Sequence, residues 1–117
     1  MAVTIYGIKN CDTVKKARAW LDGHGVAFRF HDYRVDGLEA DRLASWQQAL
    51  GWEALVNRSS ATWRQLPDNE KAGIDGDKAA ALMLANPTLI KRPVLDVDGK
   101  LTVGFKPGTY ETLFAGA

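Results

Sequence analysis

The sequence predicts an α/β sandwich: a mixed four-stranded sheet with an all-helical insertion. Three observations predict it. The chain opens with strand, helix and strand patterns; the strand period vanishes between Arg34 and Pro87; and a hairpin followed by a helix closes it. At 117 residues and 46% hydrophobic content, the chain fits one domain with one core over 1–117, with the insertion at approximately 36–87.

Residues 3–7, "VTIYG", alternate apolar and polar character in β-branched and aromatic residues, which predicts a short strand. From Asp12 the period changes: Val14, Ala17 and Leu21, with Trp20 beside them, trace one helical stripe, and Gly23 and Gly25 supply the stop. "VAFRFHDY" alternates again, with Val26, Phe28 and Phe30 on one face and Ala27, Arg29 and His31 on the other. A parallel pair of strands needs a crossover of a dozen or more residues, and this spacing supplies it as a right-handed βαβ unit. After the turn-like "VDG", Leu43, Trp46 and Leu50 follow a helical period, and "WEALVN" and "DKAAALMLANP" predict further helices. The last of these stops at Asn86, ahead of Pro87, and either Asp75 or Asp77 is placed to cap its start. "RPVLDVDGKLTVGF" carries two apolar runs around Asp98-Gly99, a pair suited to the positive φ angles of a tight hairpin. A final helix, roughly 108–114, packs Tyr110, Leu113 and Phe114. This order is the thioredoxin-like layout. Flavodoxin-like and ferredoxin-like domains also begin βαβ, but the terminal hairpin disfavours the first.

Fifteen basic residues nearly balance fourteen acidic ones, so the chain lacks the field of a general nucleic-acid or anionic-membrane binder. No apolar run approaches the roughly 20 residues of a membrane helix, and "MAVTIYG" lacks a basic region followed by a long apolar one. The chain is read as cytoplasmic. The one cysteine excludes an internal disulfide, and with only His24 and His31 to assist it, no zinc site is expected.

That cysteine, Cys11 in "YGIKNCDTVKKARAWL", falls between the first strand and the first helix. Free backbone N–H groups and the helix dipole stabilise an anion there, and a thiol so placed can drop from about 8.5 into the range of roughly 3.5 to 7.5. Thr13 adds a hydroxyl in the same turn, and Lys9, Lys15 and Lys16 bring positive charge. The competing reading is a buried structural thiol, since free cysteines are among the most buried residues. Val14 stands where a two-cysteine motif would place its second thiol, so the resolving thiol must come from outside.

A second cluster is "LIKRPVL". Pro93, just ahead of a strand, is placed for a cis peptide bond, and Arg92 carries a planar fork suited to a carboxylate or other oxyanion. Arg58 and Arg64 in "NRSSATWRQL" and Lys106 in "VGFKPG" bear on the same question, each being by itself an ordinary surface charge. Asp12 and Asp32 could influence the thiol or pair with lysines. Trp20, Trp46, Trp52 and Trp63 are packing residues first and a stacking platform second.

Together, "IYGIKNCDTVKKARAWL", "FHDYRVDG", "WEALVNRSSATWRQL", "LIKRPV" and "VGF" resemble the arsenate reductase-related family of thioredoxin-fold proteins, which includes the Spx regulators and the YffB branch, the nearest to this chain. The resemblance implies Cys11 as nucleophile, Pro93 as a cis proline, and Arg92 and Arg58 among basic groups converging on the thiol. Lys106 stands where arsenate-reducing relatives carry a third arginine, and their histidine between strand and cysteine is missing, which counts against arsenate as the substrate. What the resemblance implies for function is a glutathione-dependent thiol reductase, with glutathione as co-substrate and glutathione or a glutaredoxin-like thiol as donor. Its substrate would be a small anion or a disulfide, with no bound cofactor or metal. The alternatives are an arsenate reductase or a non-enzymatic Spx-like adaptor binding RNA polymerase.

Overall fold

The computed structural model of the chain describes residues 1–115. Its elements run β1 (Val3–Gly7), α1 (Asp12–Gly23), β2 (Arg29–Asp32), α2 (Tyr33–Asp36), α3 (Ala40–Leu50), α4 (Trp52–Leu55), α5 (Ala61–Gln65), α6 (Asp68–Lys71), α7 (Gly76–Ala85), a 3₁₀ turn at Pro87–Leu89, β3 (Val94–Val97), β4 (Lys100–Val103) and α8 (Pro107–Phe114). They divide into two compact units: Met1–Asp36 with the chain from Arg92 onward, and Gly37–Lys91. The last two residues of the expected 1–117 domain lie outside the described residues.

The first unit holds the four-stranded sheet in the order β2-β1-β3-β4. β1 pairs parallel with β2, from Thr4 opposite Arg29 to Gly7 opposite Asp32, and antiparallel with β3, where Ile5 faces Leu95. β3 and β4 form the closing hairpin. Its turn has φ of 52° at Asp98 and 88° at Gly99, the positive angles expected of that pair, and Asp96 Oδ1 accepts the Gly99 N–H at 2.7 Å. Val3 and Ile5 of β1, Leu95 of β3, Ala17 and Leu21 of α1 and Tyr110 of α8 are buried together, with Trp20, Leu113 and Phe114 packed against them. This is the thioredoxin-like α/β class that the periodicity predicts.

Two boundaries differ from expectation. β2 starts at Arg29 rather than at Val26, because the Val26 N–H is already committed to closing α1: it donates to Leu21 O at 2.9 Å while Gly25, at φ 68°, donates to Asp22 O at 3.2 Å. That pair of bonds is a Schellman closure, and Val26 packs against the apolar cluster that includes Leu21. At the other end Tyr33 does not continue the strand. It opens a single helical turn, with Asp36 Oδ2 accepting the Asp32 N–H at 3.1 Å.

The second unit is helical, as the vanishing strand period between Arg34 and Pro87 indicates. Leu43 and Trp46 of α3, Leu55 of α4, and Ala79 and Met83 of α7 are buried. Of the two candidate caps for α7 the chain uses Asp75, whose Oδ1 accepts the Lys78 N–H at 2.9 Å. The short α5, with Ser60 capping it through the Trp63 N–H at 3.1 Å, and α6 carry too few apolar positions to show a period in the sequence. Among the described residues no helix is long and apolar enough to cross a membrane.

Candidate functional site

β1 ends where the chain must pass close to α1. At Gly7 a Cβ would lie 2.6 Å from Val14 Cγ2, so only glycine lets the strand approach the first turn of the helix. Beyond Gly7 the chain turns through Ile8–Cys11, with the Cys11 N–H donating to Ile8 O at 3.3 Å, and enters α1 as the Lys15 N–H reaches Cys11 O at 3.0 Å. Cys11 is thus the N-cap residue of a 12-residue helix, in extended backbone at φ −94° and ψ 124°. Its side chain is half-buried and its thiol is free.

Partial burial pushes the Cys11 pKa up, but the opposing influences prevail and hold it below the ordinary thiol value. These are the backbone N–H of Val14, a hydrogen bond from the Arg92 side chain, the positive charge of Arg92, and the backbone N–H of Thr13. The sulfur makes no geometric cap bond, so the two N–H groups act on it as oriented dipoles. Arg92 reaches the sulfur from just ahead of β3, where the Arg92–Pro93 peptide bond is cis and Pro93 is buried.

The structure therefore brings together Cys11, Arg92, Pro93 beside it, and Thr13 through its backbone rather than its hydroxyl. The cation acting on the sulfur is Arg92. Lys9, Lys15, Lys16 and Lys106 are not among the described groups that shift the thiol. Lys9 enters through its backbone, its N–H donating to Asp32 Oδ2 at 3.2 Å. Lys106 is exposed as the N-cap residue of α8, its carbonyl accepting from Thr109 and Tyr110. Arg58 belongs to the helical unit, where its guanidinium faces the rings of Trp52 and Trp63 at 5.5 and 5.8 Å. His24 stacks on Trp20 at 3.8 Å, at the far end of α1 from Cys11.

Two residues at the end of β2 join the site without a clear sequence signal. Asp32, buried, engages backbone N–H groups rather than the thiol or a lysine ammonium. Tyr33 is buried, and its phenol is pushed far up by desolvation and by Tyr6, against the pull of Arg92. A phenol kept neutral leaves the Arg92 charge available to the sulfur. Among the described residues no group of three or more histidine, cysteine, aspartate or glutamate side chains could hold a metal ion.

A chemically competent unit follows from this geometry: a thiolate-favouring cysteine at a helix N-terminus, with a planar cation beside it able to hold an oxyanion or carboxylate. Comparison with known proteins gives the chain's relatives. The model of the ArsC family matches residues 6–113. The chain is 48% identical to a YffB protein of solved structure, with a TM-score of 0.94 over 97% of this chain and 100% of the other. An arsenate reductase (ArsC) related protein from Brucella melitensis is 53% identical, with a TM-score of 0.80 over 98% and 96% of the two chains. The global transcriptional regulator Spx of Streptococcus pyogenes is 31% identical over 88% of this chain and 78% of its own length.

Proposed function

This chain belongs to the ArsC family, and from that premise we propose that it is an oxidoreductase, a glutathione-dependent thiol reductase working through the single nucleophile Cys11. The observation that carries the reading is the pairing of Cys11 with Arg92 at the N-terminus of α1, where the thiol is held below its ordinary value. In the first step the Cys11 thiolate attacks one sulfur of a substrate disulfide; a new S–S bond forms to Cys11 as the old one breaks, and the other sulfur leaves as a thiolate. In the second, a glutathione thiolate attacks the mixed disulfide and restores the Cys11 thiolate. When the substrate is itself a glutathione mixed disulfide and Cys11 takes its glutathionyl sulfur, the sum is one glutathione consumed, the substrate thiol released and one glutathione disulfide formed. Arg92 takes the anionic group that arrives with the substrate or glutathione, its fork being suited to a carboxylate.

The test is turnover of a glutathionylated peptide with glutathione, followed as glutathione disulfide production. Activity that vanishes in Cys11→Ser is expected; activity surviving that change would overturn the mechanism. The 53% identity to an arsenate reductase-related protein supports arsenate as a second candidate substrate, and arsenate reduction in the presence of glutathione decides it. The Spx relative supports a regulator instead; recovery of RNA polymerase subunits by the tagged chain, undiminished in Cys11→Ser, would replace the enzyme reading.

A further inference from the structure

The last backbone pair of the β1–β2 ladder is Gly7 opposite Asp32. Past it, the loop carrying Cys11 pairs with no strand among the described residues, and the Ile8–Cys11 turn bond at 3.3 Å ties it internally. The Asp32 carboxylate fills that gap. Its Oδ2 accepts the Lys9 N–H at 3.2 Å, and its Oδ1 accepts the Arg34 N–H at 2.8 Å, while Asp36 fixes the same corner by accepting the Asp32 N–H. Asp32 is 8% exposed, and a carboxylate so buried requires donors on its oxygens. It is not among the groups that act on the sulfur directly.

We propose that Asp32 is the positioning residue of the nucleophile: its two carboxylate oxygens tie the Cys11 loop to the corner between β2 and α2 and so hold the sulfur at the helix N-terminus beside Arg92. This rests on the reading of Cys11 as the nucleophile. Removing the tie lets the loop drift from the N–H groups of Thr13 and Val14 and from Arg92, all of which favour the thiolate.

The experiment is pH-dependent alkylation of Cys11 in the wild type, Asp32→Asn and Asp32→Ala. Asparagine keeps the shape but can serve only one of the two N–H groups with its oxygen, and alanine serves neither. Positioning therefore raises the thiol midpoint in a graded way, by about half a unit in Asp32→Asn and about one unit in Asp32→Ala, or roughly three- and tenfold less thiolate at a pH below both midpoints. Both variants lose the same negative charge, which by itself would lower the midpoint equally in both. A fall in both, or an unchanged midpoint accompanied only by lost stability, overturns the proposal. If neither variant folds, Asp32→Glu, which keeps the carboxylate but displaces its oxygens, decides: a raised thiol midpoint is expected, and an unchanged one overturns the proposal. The absolute wild-type midpoint tests the nucleophile reading, whereas the difference between variants tests Asp32, so the two fail separately.

Discussion

At Cys11 two tendencies meet: desolvation resists the thiolate, and the Val14 N–H, Arg92 and the Thr13 N–H favour it more strongly. Removing Arg92 leaves the burial in place and deletes both its hydrogen bond and its charge. Arg92→Gln is therefore expected to raise the Cys11 midpoint and slow alkylation at neutral pH, while Arg92→Lys, keeping a point charge without the fork, recovers part of the rate. Equal midpoints in wild type and Arg92→Gln would show that the helix N-terminus alone sets the thiol. The same depression links ionisation to stability. A thiol that titrates lower in the folded than in the unfolded chain adds stability above the unfolded value and loses it as the pH falls through the folded one. The stability difference between wild type and Cys11→Ser should thus grow with pH between those two values, as urea denaturation across that range will show. At this scale the sequence displays the cysteine, its helix and the arginine with its following proline. It does not display which cation meets the sulfur, because four lysines and several arginines fit the spacing equally and only folding brings Arg92 from position 92 to position 11.

Between elements, the critical contact is β1 against the first turn of α1. Gly7→Ala places a methyl 2.6 Å from Val14 Cγ2, so strand or helix must shift, at an expected cost of about 1–3 kcal/mol in chemical denaturation. Because the two residues share one space, Gly7→Ala with Val14→Ala should be less destabilised than the sum of the two single changes. Strict additivity would mean that the clash is relieved elsewhere. The Gly7–Val14 approach also explains why a glycine closes an otherwise ordinary strand pattern. Element types are legible from period alone, and the boundaries are less so. The alternation from Val26 is visible in the sequence, yet the Val26 N–H goes to Leu21 O, and a backbone donor spent on a helix closure is not available to a ladder. Asp75 rather than Asp77 caps α7 for a similarly local reason, its Oδ1 being the acceptor that meets the Lys78 N–H.

For the molecule as a whole, possession of a single cysteine sets the redox stoichiometry. Incubation with glutathione disulfide should add one glutathione per chain, removed by excess glutathione and absent in Cys11→Ser, as intact mass spectrometry will show. A disulfide-linked dimer as the main product would point instead to a second copy as the resolving thiol. The sequence by itself determined the α/β class, the helical character of the stretch after Arg34, the hairpin at Asp98-Gly99, the position of Cys11 at a helix N-terminus and the presence of valine rather than a second cysteine at position 14, because hydrophobic period, turn chemistry and residue identity are local properties of the chain. Only the tertiary structure decided that Arg92, of the basic groups the resemblance implied, acts on the sulfur, and that the Lys9 N–H rather than its ammonium meets the Asp32 carboxylate. These are meetings of residues 23 or more positions apart, and sheet order and register, not spacing along the chain, determine which of them occur.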